Sequence, residues 1–325
     1  MASVAVVLGA GGLTGRAFHA GVLVGLADHG FDARTADLLV GTSAGSGIAA
    51  TTRAGFDAVN QQAMVLGDRV DDDLAERFAH LPPPVVLPRT MTRAEGLPVP
   101  SSLRLSAQAF FRRGAPRYGL LVAGALPRGH HPTSRIGDRV RGLFHERWPT
   151  TPLWICSLRH DDGALVVFGR DVLQTDVGTA VEASSAVPGF FEPVVIDGAH
   201  YIDGGVHSPT NLDVVAGLGF DLVIVSSPMT ATADAMGPAY RHLARAYHRR
   251  LLEREAETVR HAGTPVIMLE PDAHTLHLIG DEPLDPARNR EIAAAAREAT
   301  YDRLDGDDAT ATRARLLFDE VPTAT

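Results

Sequence analysis

VAVVLGAGGLTG (residues 4–15) and LLVGTSAG (residues 38–45) are two short apolar runs, each broken by glycine where a helical pattern begins. Val4 to Leu8 is rich in β-branched residues and short, the composition of a buried strand. From about Arg16 to His29 the apolar residues Phe18, Val22, Leu23 and Leu26 return at helical spacing, and Gly30 breaks the pattern. Leu38 to Val40 is a second buried strand, and small residues suited to a closely packed helix follow it. Strand, glycine turn and helix therefore occur twice within fifty residues.

The second turn, Gly41-Thr42-Ser43-Ala44-Gly45, fits G-x-S-x-G, a nucleophile elbow. Such a serine sits on a strained strand-to-helix turn, and Gly41 and Gly45 leave room where side chains would meet backbone. A plain turn serine capping a helix is the competing reading. The first turn, Gly9 to Gly15, fails the dinucleotide pattern: Gly9 and Gly11 fit, but Thr14 stands at the third glycine. It has no lysine for a phosphate loop. Backbone N–H groups of Gly11, Gly12 and Leu13 would face the same sheet edge as Ser43, as an oxyanion hole does.

The chain has 325 residues, 45% of them apolar, enough for a substantial core. All 30 basic residues are arginine, and the net charge is −9, which argues against a general nucleic-acid binder. The single Cys156 lies in an apolar run, so no disulfide framework is expected within the chain, and there is no zinc spacing. No stretch reaches the length of a membrane span, and the N-terminus lacks a basic n-region. A cytoplasmic protein, touching membranes at most peripherally, is the expectation. No metal or organic cofactor is called for.

Farther along, Ser46 to Leu66 reads as one helix and Asp68 to His80 as another, opened by Asp71, Asp72 and Asp73. Leu81 to Pro100 is too rich in proline for regular structure and reads as a surface crossing. Leu103 to Phe111 reads as a short amphipathic helix and Tyr118 to Leu126 as a short, almost wholly apolar run, fitting either an active-site cap or a packed helix pair. Ile136 to Phe144 is a helix opened by Ser134. Leu153 to Leu158 and Ala164 to Gly169 flank the turn signal Asp161-Asp162-Gly163. After a helix at Val177 to Ser185, a second hairpin turns at Asp197-Gly198 and ends in Asp203-Gly204-Gly205. Asp203 is the second candidate: a carboxylate can act as base for a serine when partly desolvated. Spacing alone leaves it open against an ordinary Asp-Gly turn. Leu222 to Ser226 and Pro265 to Leu269 are further strands. Tyr240 to Arg260 is a long helix striped by Leu243, Tyr247 and Leu251, its arginines facing either solvent or an anionic surface. Asp285 to Leu304 is an alanine-rich helix, Asp305 to Thr312 a polar loose segment, and the final Thr-Ala-Thr should fray.

Alternating strands and helices indicate an α/β sandwich with a mainly parallel sheet. One domain over residues 1–325 is expected, with 67–135 a cap-like elaboration and 285–325 a C-terminal helical segment. A Ser–Asp–His triad is formally available through His274 or His277. The usual α/β-hydrolase, however, places several strands before its nucleophile, and this chain has two, which favours a Ser–Asp dyad.

Three blocks resemble the patatin-like phospholipases, the Ser–Asp lipid acyl hydrolases. They are GAGGLTGRAFHAGVL, VGTSAGS around Ser43, and EASSAVPGFFEPV followed by IDGG around Asp203. The resemblance implies a three-layer α/β/α fold, Ser43 as nucleophile, Asp203 as base, the first glycine turn as oxyanion hole, and a lipid or other ester as substrate. Pro188 and Asn211 resemble landmarks near the dyad. One departure stands out: the family commonly has a basic residue where this chain has Thr14, with Gly15 next and Arg16 one place late. Arg16 is therefore a candidate headgroup contact. An acyltransferase or thioesterase on the same dyad, and a lipid-binding protein without turnover, stay open as alternatives.

Overall fold

The computed structural model describes residues 2–80, 100–111, 118–144, 147–171, 174–236, 243–280 and 282–320. In chain order its elements are β1 (Val4–Leu8), α1 (Gly12–Asp28), β2 (Leu38–Thr42), α2 (Ala44–Arg53), α3 (Ala58–Leu66), α4 (Asp72–Arg77), α5 (Leu103–Phe111), α6 (Tyr118–Ala125) and α7 (Ser134–Phe144). There follow β3 (Leu153–Arg159), β4 (Leu165–Phe168), α8 (Val177–Ser184), β5 (Val194–Ile196), β6 (Ala199–Asp203) and β7 (Leu222–Ser226). The last are α9 (Leu243–His261), β8 (Val266–Leu269), α10 (Ala273–Ile279), α11 (Asn289–Leu304) and α12 (Ala309–Phe318).

The strands form one mixed sheet in the order β5-β6-β3-β2-β1-β7-β8, with β4 also on β3. The central run from β3 to β8 is parallel, while β4, β5 and β6 are antiparallel additions. Both faces are buried, as a parallel sheet requires. Val4, Val6 and Leu8 of β1 face the layer containing α1, α2, α8 and α11. Ala5 and Val7 face the opposite layer, where Leu252, Ala256 and Val259 of α9 pack. This is the three-layer sandwich expected.

One detail of the register positions the site. β2 runs parallel to β3, pairing Thr42 with Cys156. β6 runs antiparallel to β3, pairing Asp203 with Ser157. β4 pairs with both Cys156 and Ser157, so it takes the other edge of β3. β2 and β6 thus approach head-on along one edge of β3, and their C-terminal ends meet at adjacent residues. Ser43 follows one of those ends, and Asp203 is the other.

Several expectations need correction. The helix expected over Ser46 to Leu66 breaks into α2 and α3. Gly55 at φ 105 ends the first, and the Asp57 side chain caps the second by accepting the Asn60 N–H. The helix expected over Asp68 to His80 shrinks to α4. Asp71 precedes it and accepts a hydrogen bond from Asn60 Nδ2 at 2.7 Å. The stripe on α9 is Ala246, Leu252, Glu255, Ala256 and Val259, with Leu252, Ala256 and Val259 packed on the sheet, while Leu243 is exposed. Two arginines of that helix hold protein groups instead of facing outward. Arg245 donates to the Pro228 and Thr230 carbonyls, and Arg249 pairs with Glu253 and Glu270. The segment taken as loose holds the start of α12, capped by Asp308, whose carboxylate accepts the Thr310 and Ala311 N–H groups. Phe318 at its end stacks on Phe31 with centroids 4.9 Å apart.

α5 and α6 form a packed pair, with Leu105, Leu120 and Ala123 buried against Leu158 and Ile202 of the sheet. A Cβ on Gly119 would strike the Val206 carbonyl, so α6 lies directly on the turn after Asp203. The proline-rich crossing, except Pro100, and the terminal Thr-Ala-Thr lie outside the described residues. Among the described residues no helix is long and apolar enough to cross a membrane.

Candidate active site

Ser43 occupies the turn between β2 and α2 with φ 53 and ψ −118. A left-handed φ on a residue other than glycine costs about 1–3 kcal/mol and persists only where surroundings impose it. Here they do. The Ser43 N–H donates to Ser184 Oγ at 2.8 Å, and that hydroxyl donates to the Cys156 carbonyl at 2.7 Å. The Ser46 hydroxyl donates to the Ser43 carbonyl at 2.6 Å. Gly41 and Gly45 make the turn sterically feasible. A Cβ on Gly45 would collide with the Leu8 carbonyl and lie 2.7 Å from the Gly9 oxygen.

Asp203 ends β6, 5% exposed, and contacts the Ser43 hydroxyl. Its Oδ1 accepts the Gly205 N–H at 2.7 Å. Burial raises its pKa to about 6, against the lowering pull of the Ser43 and Gly205 hydrogen bonds. A carboxylate destabilised in this way is a stronger base than one in water. Gly204 is buried against the Cys156 carbonyl, where a side chain would not fit.

Asn211 ties the two halves together. It is fully buried at φ 50, and its Nδ2 donates to Thr42 Oγ1, Gly204 O and Ser208 O. Its Oδ1 lies 2.8 Å from His207 Nδ1. Beneath it Glu255 accepts hydrogen bonds from Thr210 Oγ1 at 2.7 Å and from the Leu212 N–H at 2.9 Å. Burial, followed by the charge of Asp213, pushes the Glu255 pKa above the usual carboxylate range. Pro188 lies in the loop between α8 and β5, where the Ala186 carbonyl accepts the Asp203 N–H at 3.0 Å.

The first glycine turn lies beside this pair. Gly9 N–H donates to Ser226 O, Ala10 N–H to Pro209 O, Thr14 N–H to Pro283 O and Gly15 N–H to Gly11 O. Between them, the N–H groups of Gly11, Gly12 and Leu13 find no acceptor among the described residues. They are the first amides of α1, which its own hydrogen bonding leaves unpaired and which carry the positive end of its dipole. Gly12 is at φ 65 against the Pro283 carbonyl, and a Cβ on Gly11 would lie 2.6 Å from Pro228 Cγ. Gly45 N–H donates to Gly9 O at 3.1 Å, so the turn and the elbow share a peptide.

Thr14 is buried and turned back to the Gly11 and Pro283 carbonyls. It does not stand in for a basic side chain. Arg16, one helical turn beyond Gly12, has a buried Nε without a hydrogen-bond partner among the described residues. Burial and then the charge of Arg139 hold its pKa below the usual guanidinium value. His274 and His277 are both exposed on α10, whereas Ser43 and Asp203 are buried. Cys156 is buried, its thiol pushed up to about 12 by burial.

Sequence reasoning missed Ser184 and His19. Ser184 lies within EASSAVPG, where two adjacent serines gave no way to tell which one faces the elbow. His19 stands in an apolar helical stretch as an isolated polar residue fully buried in the fold.

A family model described as patatin-like phospholipase matches residues 6–216. Among solved structures, the chain is similar to VipD from Legionella pneumophila, at 13% identity over 94% of this chain and 67% of that one, with a TM-score of 0.46. It is also similar to the type III effector protein ExoU, at 16% identity over 94% of this chain and 53% of that one, with a TM-score of 0.37. The chain thus spans about half the length of the second.

Proposed function

Because the chain belongs to the patatin-like phospholipase family, membership of which implies lipid hydrolysis, we propose that it cleaves acyl esters of lipids through an acyl-enzyme on Ser43, with Asp203 as base. The observation that carries this reading is the contact of the strained Ser43 hydroxyl with a buried carboxylate beside three unpaired amides. Asp203 takes the Ser43 proton as the oxygen attacks the ester carbonyl. The amides of Gly11, Gly12 and Leu13 hold the oxyanion. The tetrahedral centre collapses, and the proton on Asp203 passes to the departing alcohol or lysolipid. Water then attacks the acyl-enzyme, losing a proton to Asp203; as the second tetrahedral centre collapses and the fatty acid leaves, that proton returns to the Ser43 oxygen. No step calls for a metal or cofactor.

Arg16 contacts the phosphate of a phospholipid headgroup in this reading, supported by its unpartnered Nε on the helix that carries the amides. Residues 67–135 act as a cap, supported by the seating of α6 on the turn after Asp203. Residues 285–325 brace α1, supported by α11, whose Ala293 backbone meets Gly21. A cytoplasmic enzyme meeting lipid at the membrane surface belongs to the same proposal, with Tyr118 and Val122 as exposed apolar residues on α6.

A fluorophosphonate probe should label Ser43, and a panel of phospholipids, lysophospholipids, triacylglycerols and short esters should yield free fatty acid. Absence of both labelling and turnover overturns the proposal, and a new ester formed with an added alcohol would redirect it to acyl transfer. Arg16→Gln should raise KM for a phospholipid about tenfold, the loss of one charge-assisted hydrogen bond, and leave a neutral ester unchanged. An equal effect on both substrates removes Arg16 from headgroup binding.

The pH dependence follows from Asp203. Only the carboxylate accepts the Ser43 proton, so kcat/KM should fall below about pH 6, where Asp203 protonates. The fall should approach tenfold per pH unit. A profile flat down to pH 4 contradicts a base of this kind.

A further inference from the structure

His19 lies on the second turn of α1, fully buried, and none of the steps above uses it. Its Nε2 is 2.7 Å from the Gly9 carbonyl oxygen and its Nδ1 is 2.8 Å from Ser226 Oγ. A carbonyl only accepts, so Nε2 carries the proton and Nδ1 accepts from the Ser226 hydroxyl. Burial lowers its pKa to about 4, so the ring stays neutral, in this tautomer, across the range where Asp203 titrates.

The carbonyl that His19 holds is a junction. Gly9 O also receives the Gly45 N–H at 3.1 Å, from the first turn of the elbow helix. Gly9 N–H donates to Ser226 O at 3.0 Å, and the next amide, Ala10 N–H, donates to Pro209 O at 2.8 Å, in the segment that follows Asp203. β7, the elbow helix and the loop after the carboxylate are therefore all fastened at this point. The stretch Gly9-Ala10-Gly11-Gly12 has almost no side chains of its own to fix its dihedral angles. Its direction is set from outside.

We infer that His19 is a positioning residue for the hydrolysis. Its Nε2–H aims the Gly9 carbonyl and so fixes the turn that points the Gly11 and Gly12 amides at the oxygen developing charge beside Ser43. The inference rests on the Ser43–Asp203 reading. It adds that oxyanion stabilisation in this chain depends on a neutral imidazole that never touches substrate. Misaiming donors by a fraction of an ångström lowers the chemical step while leaving substrate binding intact.

The test compares two variants in the full-length protein. In His19→Gln the side-chain amide nitrogen reaches the place of Nε2 and keeps the donor to Gly9. In His19→Asn it falls short. His19→Asn should lower kcat on the order of tenfold to a hundredfold, with KM within twofold, and slow fluorophosphonate labelling in proportion. His19→Gln should restore kcat to within about threefold, although it gives up the Ser226 contact that the asparagine oxygen, at the place of Nδ1, can keep. Wild-type kcat in His19→Asn, an effect on KM alone, or equal loss in both variants overturns the inference. If His19→Asn does not fold, Ser226→Ala supplies the test, since it removes the hydroxyl that holds Nδ1 and so the orientation of the ring. It should lower kcat several-fold at unchanged KM, and no change in kcat counts against the role. The wild-type protein separates the two claims. If it neither labels nor turns over, the hydrolase reading fails; if it does both while these variants match it, only the role of His19 fails.

Discussion

Ser43→Ala should abolish ester turnover and probe labelling, with kcat falling on the order of 10⁴–10⁶-fold, the range seen when residues acting as a unit lose one member. Its melting temperature stays close to wild type, because alanine fits the same turn and the hydroxyl bears on Asp203 alone among the contacts that hold the elbow. Asp203→Asn removes the base and lowers kcat by a comparable order, but its stability moves the other way. The Asp203 pKa stands at about 6 in the fold against 3.8 in the unfolded chain. The native state therefore binds this proton more tightly than the unfolded state, and stability falls as pH rises from about 4 through about 6. Above that window the buried charge costs up to about 3 kcal/mol. Asparagine keeps an oxygen for the Gly205 N–H and carries no charge. The variant should melt higher than wild type at pH 7–8, and the advantage should vanish near pH 4. Thermal melts across pH check this, and residual turnover within tenfold of wild type in either variant refutes the dyad.

Gly45→Ala disrupts the fold around the site. The added methyl carbon would overlap the Leu8 carbonyl, a backbone atom of the central strand that has no room to yield. Relief requires α2 to move off β1, breaking the hydrogen bond from Gly45 N–H to Gly9 O and tilting Ser43 away from Asp203. A loss of about 3–5 kcal/mol is expected, with kcat down at least a hundredfold in whatever folds. Gly47→Ala is the control on the same helix. A methyl there meets nothing within 4 Å, and replacing glycine inside a helix gains roughly 0.5–1 kcal/mol. Equal melting temperatures for the two variants contradict the packing described for the elbow.

The fold was legible where glycine and apolar patterning coincide. VAVVLGAGG and LLVGTSAG carry strand, turn and helix in the residues themselves, and Asp197-Gly198 marks its hairpin, at φ 48 and 79 in the structure. The helix breaks were harder. Gly55 and Asp57 end and restart a helix within a few residues, and no apolar period reports that. Asp203 and Asp197 precede glycine alike, and only the pairing of β6 with β3 distinguishes a turn residue from one facing Ser43. The start of α12 escaped notice because its polar residues face outward and the buried residues of its first turns, Ala311 and Ala314, are alanines. His19 was invisible for another reason: its partners, Gly9 O and Ser226 Oγ, lie in the turn after β1 and at the end of β7, which patterning cannot bring together.

The collision of β2 and β6 along one edge of β3 has a consequence for the chain as it is made. In the proposed dyad the alcohol leaves the ribosome early, and its proton acceptor follows only after residues 67–135, the shared strand and the hairpin turns. A truncated or half-finished polypeptide carries the attacking group without the means to activate it. In the proposed mechanism the competence to cut an ester therefore arises late, when the last of these segments has closed on the strand they share.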